Sequence, residues 1–209
     1  VEEFQAPDLK APSALSRVGG LSDVKRDLQQ VILAMRHPKI FFDGSFPEVC
    51  LPRRVLLCGA PGTGKTMLAR ALAQDAGADF VNVTLGAIED KYFGETPKIL
   101  RAVFDTAKEH GARKPCVLFI DEIDGIMRTR RDDDQACTYG MKTEFLQLLD
   151  SVQAGHRVVI IGCTNFINAL DPALLRRFQT IHRLNIPRLD ERLEIISLLT
   201  PSMSKEHCE

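Results

Sequence analysis

Eight consecutive residues constrain this chain more than any others. Gly59-Ala60-Pro61-Gly62-Thr63-Gly64-Lys65-Thr66 match the pattern G-x-x-x-x-G-K-[ST] at every defined position. The short apolar run Arg54-Val55-Leu56-Leu57-Cys58 precedes them and a helix-forming stretch from about Lys65 to Ala76 follows. A strand, a glycine-rich turn and a helix in that order make a cradle for phosphate. Glycines allow successive backbone N–H groups to turn inward as an anion nest. The helix N-terminus adds the positive end of its dipole. In such a cradle Lys65 is expected to reach the β- and γ-phosphates and the Thr66 hydroxyl to ligate Mg²⁺. The expected contacts to ATP from this segment run over Pro61, Gly62, Thr63, Gly64, Lys65, Thr66 and Met67. A glycine-rich structural turn is the competing reading, and the flanking strand and helix weigh against it.

A second pattern complements the first. Cys116-Val117-Leu118-Phe119-Ile120 is wholly apolar, as a central parallel strand should be, and runs directly into Asp121-Glu122. Ligands of open α/β sheets bind beyond the carboxyl ends of the strands, so both acids should arrive beside the phosphate loop. Asp121 is expected to hold Mg²⁺ through water, and Glu122 to polarise an attacking water. Asp124 is ambiguous and reads as local capping.

The remaining pattern sets the architecture. Ser22 reads as the cap of a helix with Val24, Leu28, Val31 and Ile32 on one face. Phe80–Val83, Val158–Cys163 and Thr180–Ile186 read as further strands. Thr96-Pro97 opens a helix with Ile99, Leu100, Val103, Phe104 and Ala107 on its apolar face, and another helix covers about Thr138–Val152. Strands alternating with helices predict a three-layer α/β/α fold around a five-stranded parallel sheet. Residues 1–15 read as an arm or linker, 16–187 as the α/β domain, and 188–209 as the start of a helical lid or a tail.

Lysine and arginine number 27 against 28 acids, so no basic footprint marks a nucleic-acid partner. The six cysteines form no C-x-x-C pair. Three of them (Cys58, Cys116, Cys163) lie in apolar strands, which fits small core residues in a reducing intracellular compartment. The cytoplasm is the first expectation and the mitochondrion the alternative. No apolar run approaches the ~20 residues of a membrane helix. The chain begins at Val1 rather than Met, which leaves room for a removed targeting or anchoring segment.

Over about residues 16–199 the chain resembles the AAA family of P-loop ATPases. Val18-Gly19-Gly20 looks like its adenine-contacting segment. Gly162-Cys163-Thr164-Asn165, with Ala169-Leu170-Asp171-Pro172-Ala173-Leu174-Leu175-Arg176-Arg177-Phe178, looks like its second region of homology. The resemblance implies that Asn165 orients the water or contacts the γ-phosphate. It also implies that Arg176 and Arg177 are arginine fingers reaching the neighbouring subunit's nucleotide, worth on the order of 10³–10⁵ in rate in comparable enzymes. Lys91-Tyr92-Phe93-Gly94 looks like the family's first pore loop, which grips an extended polypeptide, and Arg128–Gln135 resembles the second. The Arg-Arg-Phe ending places the chain nearest the group of katanin, spastin, the endosomal-sorting disassembly ATPase and the mitochondrial tail-anchor extractor.

The resemblance therefore implies an ATP-driven remodeller of proteins, a homo-hexamer or mixed ring hydrolysing ATP at subunit interfaces. Departures qualify it: Phe166 stands where the family often has Arg, Pro97 where an acid is common, and the helical lid with its second sensor is mostly missing after Ile195. That last point motivates a rival reading, an ATP-binding scaffold subunit that does not translocate. A nucleic-acid-stimulated ATPase is a third reading, and the neutral charge weighs against it.

Overall fold

Among the described residues, five runs that alternate or lack polar residues become strands: β1 (Arg54–Gly59), β2 (Asp79–Thr84), β3 (Cys116–Asp121), β4 (Val158–Thr164) and β5 (Thr180–Leu184). The computed structural model describes residues 13–37, 52–85, 96–127 and 136–200. All the strand pairs are parallel, in the order β2-β3-β4-β1-β5. Strand β4 is inserted between β1 and β3, so the chain reverses its winding there and opens a crevice at the carboxyl edge. Gly59, Asp121 and Thr164 end β1, β3 and β4 on that edge.

The helices are α1 (Ser22–Arg36), α2 (Lys65–Ala76), α3 (Thr96–Arg113), α4 (Ala136–Ser151), the single turn α5 (Pro172–Leu175) and α6 (Leu189–Leu199). Alternation along β3 divides the core between two faces. Val117 and Phe119 join Leu28, Met35, Leu68 and Leu72 of α1 and α2. Leu118 and Ile120 join Leu100 and Phe104 of α3 and Phe145 and Leu149 of α4. The Phe104 and Phe145 rings meet edge to face at 6.0 Å. Both are fully buried, and truncating either to Ala should cost about 3–5 kcal/mol.

Three local expectations are corrected. Ser22 does not cap α1. It is the first helical residue, and Leu21 holds the cap position at φ 58° with no side-chain cap bond. The turn is held from α6 instead: Gly20 N–H donates to Glu194 Oε2 (3.0 Å) and Leu21 N–H to Glu191 Oε1 (3.2 Å). Residues 13–15 are also more than a linker, because Ala14 and Leu15 are buried in a 3-10 turn that continues to Arg17. Finally, β5 ends at Leu184, two residues short of the expected Ile186. No described helix is long and apolar enough to cross a membrane.

Candidate functional site

Strand β1 delivers the phosphate loop through a tight passage. A Cβ on Gly59 would lie 2.2 Å from the Leu184 carbonyl oxygen of β5, so only glycine fits. Beyond it Gly62 and Gly64 take φ of 81° and 89°, the left-handed region that other residues avoid. These turns let α2 begin at Lys65 with its N-terminal N–H groups facing the crevice. Pro61 and Gly62 are exposed, while Thr63, Gly64 and Thr66 are half-buried. Thr63 Oγ1 donates to the Ala60 carbonyl at 2.9 Å.

Lys65 is buried, and its ammonium has three acceptors: the carbonyls of Gly59 (2.8 Å) and Ala60 (3.0 Å), and Asn165 Oδ1 (2.8 Å). The last bond joins the phosphate loop to the residue after β4, 100 positions along the chain. Two sequence-predicted site residues are thus in direct contact. An ammonium satisfied by two carbonyls and an amide, all neutral, keeps its full positive charge for an incoming anion.

Asp121 is half-buried at the end of β3, and its Oδ1 accepts the Glu122 N–H at 2.9 Å. Glu122 is exposed at φ 52°, a conformation that is uncommon for a non-glycine residue and clusters at functional sites. The next amide, Ile123 N–H, bonds to the Cys163 carbonyl of β4 at 3.0 Å, which fixes the turn against the sheet. Among the described residues no cluster of three His, Cys, Asp or Glu side chains could hold a metal. Thr66 and Asp121 instead offer one hydroxyl and one carboxylate. Such hard oxygen donors suit Mg²⁺, which keeps several waters and takes its other ligands from phosphate.

Asp124 is not a surface cap. It is 7% exposed, and its Oδ1 accepts the Thr164 hydroxyl at 2.8 Å, while that hydroxyl oxygen accepts Phe166 N–H at 3.0 Å. Thr164 and Phe166, joined through that hydroxyl, flank Asn165 in the sequence. Single-sequence reading missed this pairing, and the only available signal was an acid three residues beyond a strand end.

The two arginines after α5 differ. Arg176 is exposed. Arg177 is turned back on its own chain, with Nε on Asp150 Oδ2 (3.3 Å) and one terminal nitrogen on the Ala173 carbonyl (2.9 Å). Asp150 also receives Arg54 at 2.9 Å. Lys91, Tyr92, Phe93 and Gly94, and the stretch 128–135, lie outside the described residues.

A cavity of about 420 Å³ adjoins the loop, within the range of small-molecule sites. Val18, Gly19 and Leu21, then Gly62–Gly64 and Met67, and Glu191 and Ile195 of α6 line it. A Cβ on Gly19 would lie 2.5 Å from Ile195 Cγ1, so the small residue lets α6 close this side. Gly20, at φ 67°, supplies the turn behind it. Nearby thiols are chemically quiet: Cys58 and Cys163 are free and buried. Burial raises both pKa values, with Asp121 adding to the effect on Cys163. On the far end of β3, burial pushes Cys116 to about 12.

Residues 55–186 match the family model described as "ATPase family associated with various cellular activities (AAA)". The chain is 37% identical over 186 residues to the human outer mitochondrial transmembrane helix translocase, covering 88% of this chain and 50% of that protein. It is 35% identical over 191 residues to a translocase of the same name from Danio rerio, covering 90% of this chain and 52% of that one. With the proteasome-activating nucleotidase of Methanococcus maripaludis it shares 38% identity, over the whole of this chain and 50% of that protein. The chain thus spans about half the length of the curated relatives it matches.

Proposed function

The chain belongs to the AAA family of ATPases, and from that membership we propose that it binds ATP with Mg²⁺, hydrolyses it at the interface between subunits of a ring, and uses the cycle to remodel or extract polypeptides. The observation that carries the nucleotide part is the convergence of Lys65, with its phosphate-loop carbonyls, on Asn165. A loop made for phosphate and a strand end made for the γ-phosphate's surroundings meet at one buried ammonium.

Each residue has a distinct task in this reading. Backbone N–H groups of Gly62–Thr66 bind the phosphate oxygens, and Lys65 leaves its carbonyls to neutralise charge developing on the γ-phosphoryl group. Thr66 and Asp121 would hold Mg²⁺, which when bound supplies charge neutralisation at the phosphates. Glu122, projecting from its left-handed turn, aligns and polarises the attacking water. Asn165, beside the Lys65 ammonium, orients that water or contacts the γ-phosphate. Phosphoryl transfer needs little covalent help, so this positioning supplies most of the acceleration.

Arg176 and Arg177 complete the proposal as the residues a neighbouring subunit contributes. Arg176 is presented outward, whereas Arg177 must leave Asp150 or act by shaping the turn. The three relatives fit remodelling: two are named as translocases of transmembrane helices and the third as a proteasome-activating nucleotidase. Gripping of polypeptide by Lys91–Gly94 rests on the family resemblance. Homo-hexameric or mixed-ring assembly belongs to the same proposal, as does a cytoplasmic or mitochondrial-surface location.

The test is Glu122→Gln. The variant should bind ATP as tightly as the parent and hydrolyse it at least 100-fold more slowly, on the order expected for losing a general base. Equal hydrolysis rates would overturn the assignment.

A further inference from the structure

One acid in the second half of α2 sits where helix physics disfavours it. Asp75 is in the last turn of α2 (Lys65–Ala76), near the negative end of the helix dipole. Its carboxylate is occupied by a segment about 60 residues earlier. Oδ1 accepts Ala14 N–H at 2.6 Å, and Oδ2 accepts Leu15 N–H at 3.0 Å together with the Ser13 hydroxyl. The Asp75 carbonyl additionally accepts Arg36 Nε of α1 at 2.7 Å. The donors to the carboxylate are the leading residues of the 3-10 turn Ala14–Arg17, and that turn runs without a break into Val18 and Gly19, the wall of the cavity beside the phosphate loop.

Helix α2 therefore meets the cavity twice. Its first turn supplies Met67 to the lining, and its last turn grips the segment that runs into Val18 and Gly19. We propose that Asp75 is a positioning residue for the adenine-side wall, fixing Val18 and Gly19 relative to the phosphate loop so that the site is formed before nucleotide arrives. The proposal rests on the reading of this cavity as the ATP site. Charge-assisted bonds to two main-chain amides and a hydroxyl are strong and geometrically defined. A wall that must order on binding instead weakens affinity by that ordering cost. The effect falls on the base and ribose end, not on phosphate contacts, because Gly62–Lys65 are held by β1 and by their own bonds.

This asymmetry supplies the test. Binding of ATP and of inorganic tripolyphosphate would be measured by titration calorimetry on the parent chain, Asp75→Ala, Asp75→Asn and Ser13→Ala. Asp75→Ala should weaken ATP about tenfold, the scale of one to two lost bonds to a charged group, and leave tripolyphosphate unchanged. Asp75→Asn, with one acceptor oxygen left, and Ser13→Ala, with both amide bonds left, should each fall between. Equal weakening of ATP and tripolyphosphate would mean general damage to α2 and overturn the proposal. Unchanged ATP affinity in all three variants, with each folded by circular dichroism, would overturn it too. A parent chain that binds tripolyphosphate but shows no preference for ATP would overturn the reading of the cavity itself.

Discussion

Replacing Thr164 by Val isolates what the buried Asp124–Thr164 pair contributes. The two side chains have nearly the same shape, so packing changes little and the hydroxyl is what disappears. Thr164 is 1% exposed. Its hydroxyl donates to the Asp124 carboxylate and accepts Phe166 N–H. A hydrogen bond to a charged group contributes about 1.5–3 kcal/mol, and the cost rises somewhat when the other partner stays buried. The Phe166 amide lies by an exposed ring and recovers water, so its share is small. The expected loss is about 2–4 kcal/mol. Thr164→Ser keeps the hydroxyl and removes one methyl, for about 1 kcal/mol. Urea unfolding of both variants should therefore rank Val clearly below Ser. ATP hydrolysis should fall about tenfold in the Val variant, since a small displacement of a positioning group has an effect of that size or more, here acting through Asn165. A Val variant as stable as the Ser variant would mean that the Thr164–Asp124 bond contributes nothing to stability.

Two further outcomes follow from other parts of the fold. Gly59→Ala should destabilise the chain by about 1–3 kcal/mol, because the new Cβ meets the Leu184 carbonyl 2.2 Å away; a urea midpoint unchanged within error would contradict the close passage. His182 on β5 is buried at 9% exposure, and burial lowers its pKa from the ordinary 6.5 while Asp27 partly offsets the effect. The unfolded chain then binds the proton more readily than the folded one, so stability is full above the unfolded value and declines as pH falls from there toward the folded value. Thermal melting should show a smaller loss between about pH 7.5 and about pH 5.5 for His182→Gln than for the parent, and identical losses would remove His182 from the account.

Local pattern carried the sheet and the phosphate loop. Strands such as β3 and β4 are unbroken apolar runs, because both their faces are covered, and the loop's glycines are demanded by backbone geometry within eight residues. What the sequence could not show were pairings between distant segments. Asp75 looks like an ordinary surface acid until Ser13–Leu15 are placed on it. Ser22 has the chemistry of a cap, yet Glu191 and Glu194 of α6 take the preceding amides and Leu21 is left in the cap position. Arg176 and Arg177 are identical in type and adjacent, and only the location of Asp150 on α4 separates them. Asp124 read as a local cap for the same reason: its partner is 40 residues away.

In the proposed ring, a second chain completes the site. Two variants test this when mixed: Lys65→Ala lacks the phosphate-binding ammonium but keeps Arg176, and Arg176→Ala lacks the outward arginine but keeps its own phosphate loop. Each alone should be nearly inactive, and their mixture should regain ATP hydrolysis, with the parent's rate per subunit rising steeply with concentration. A mixture as inactive as its components, beside a parent whose rate per subunit is independent of concentration, would contradict a site shared between subunits.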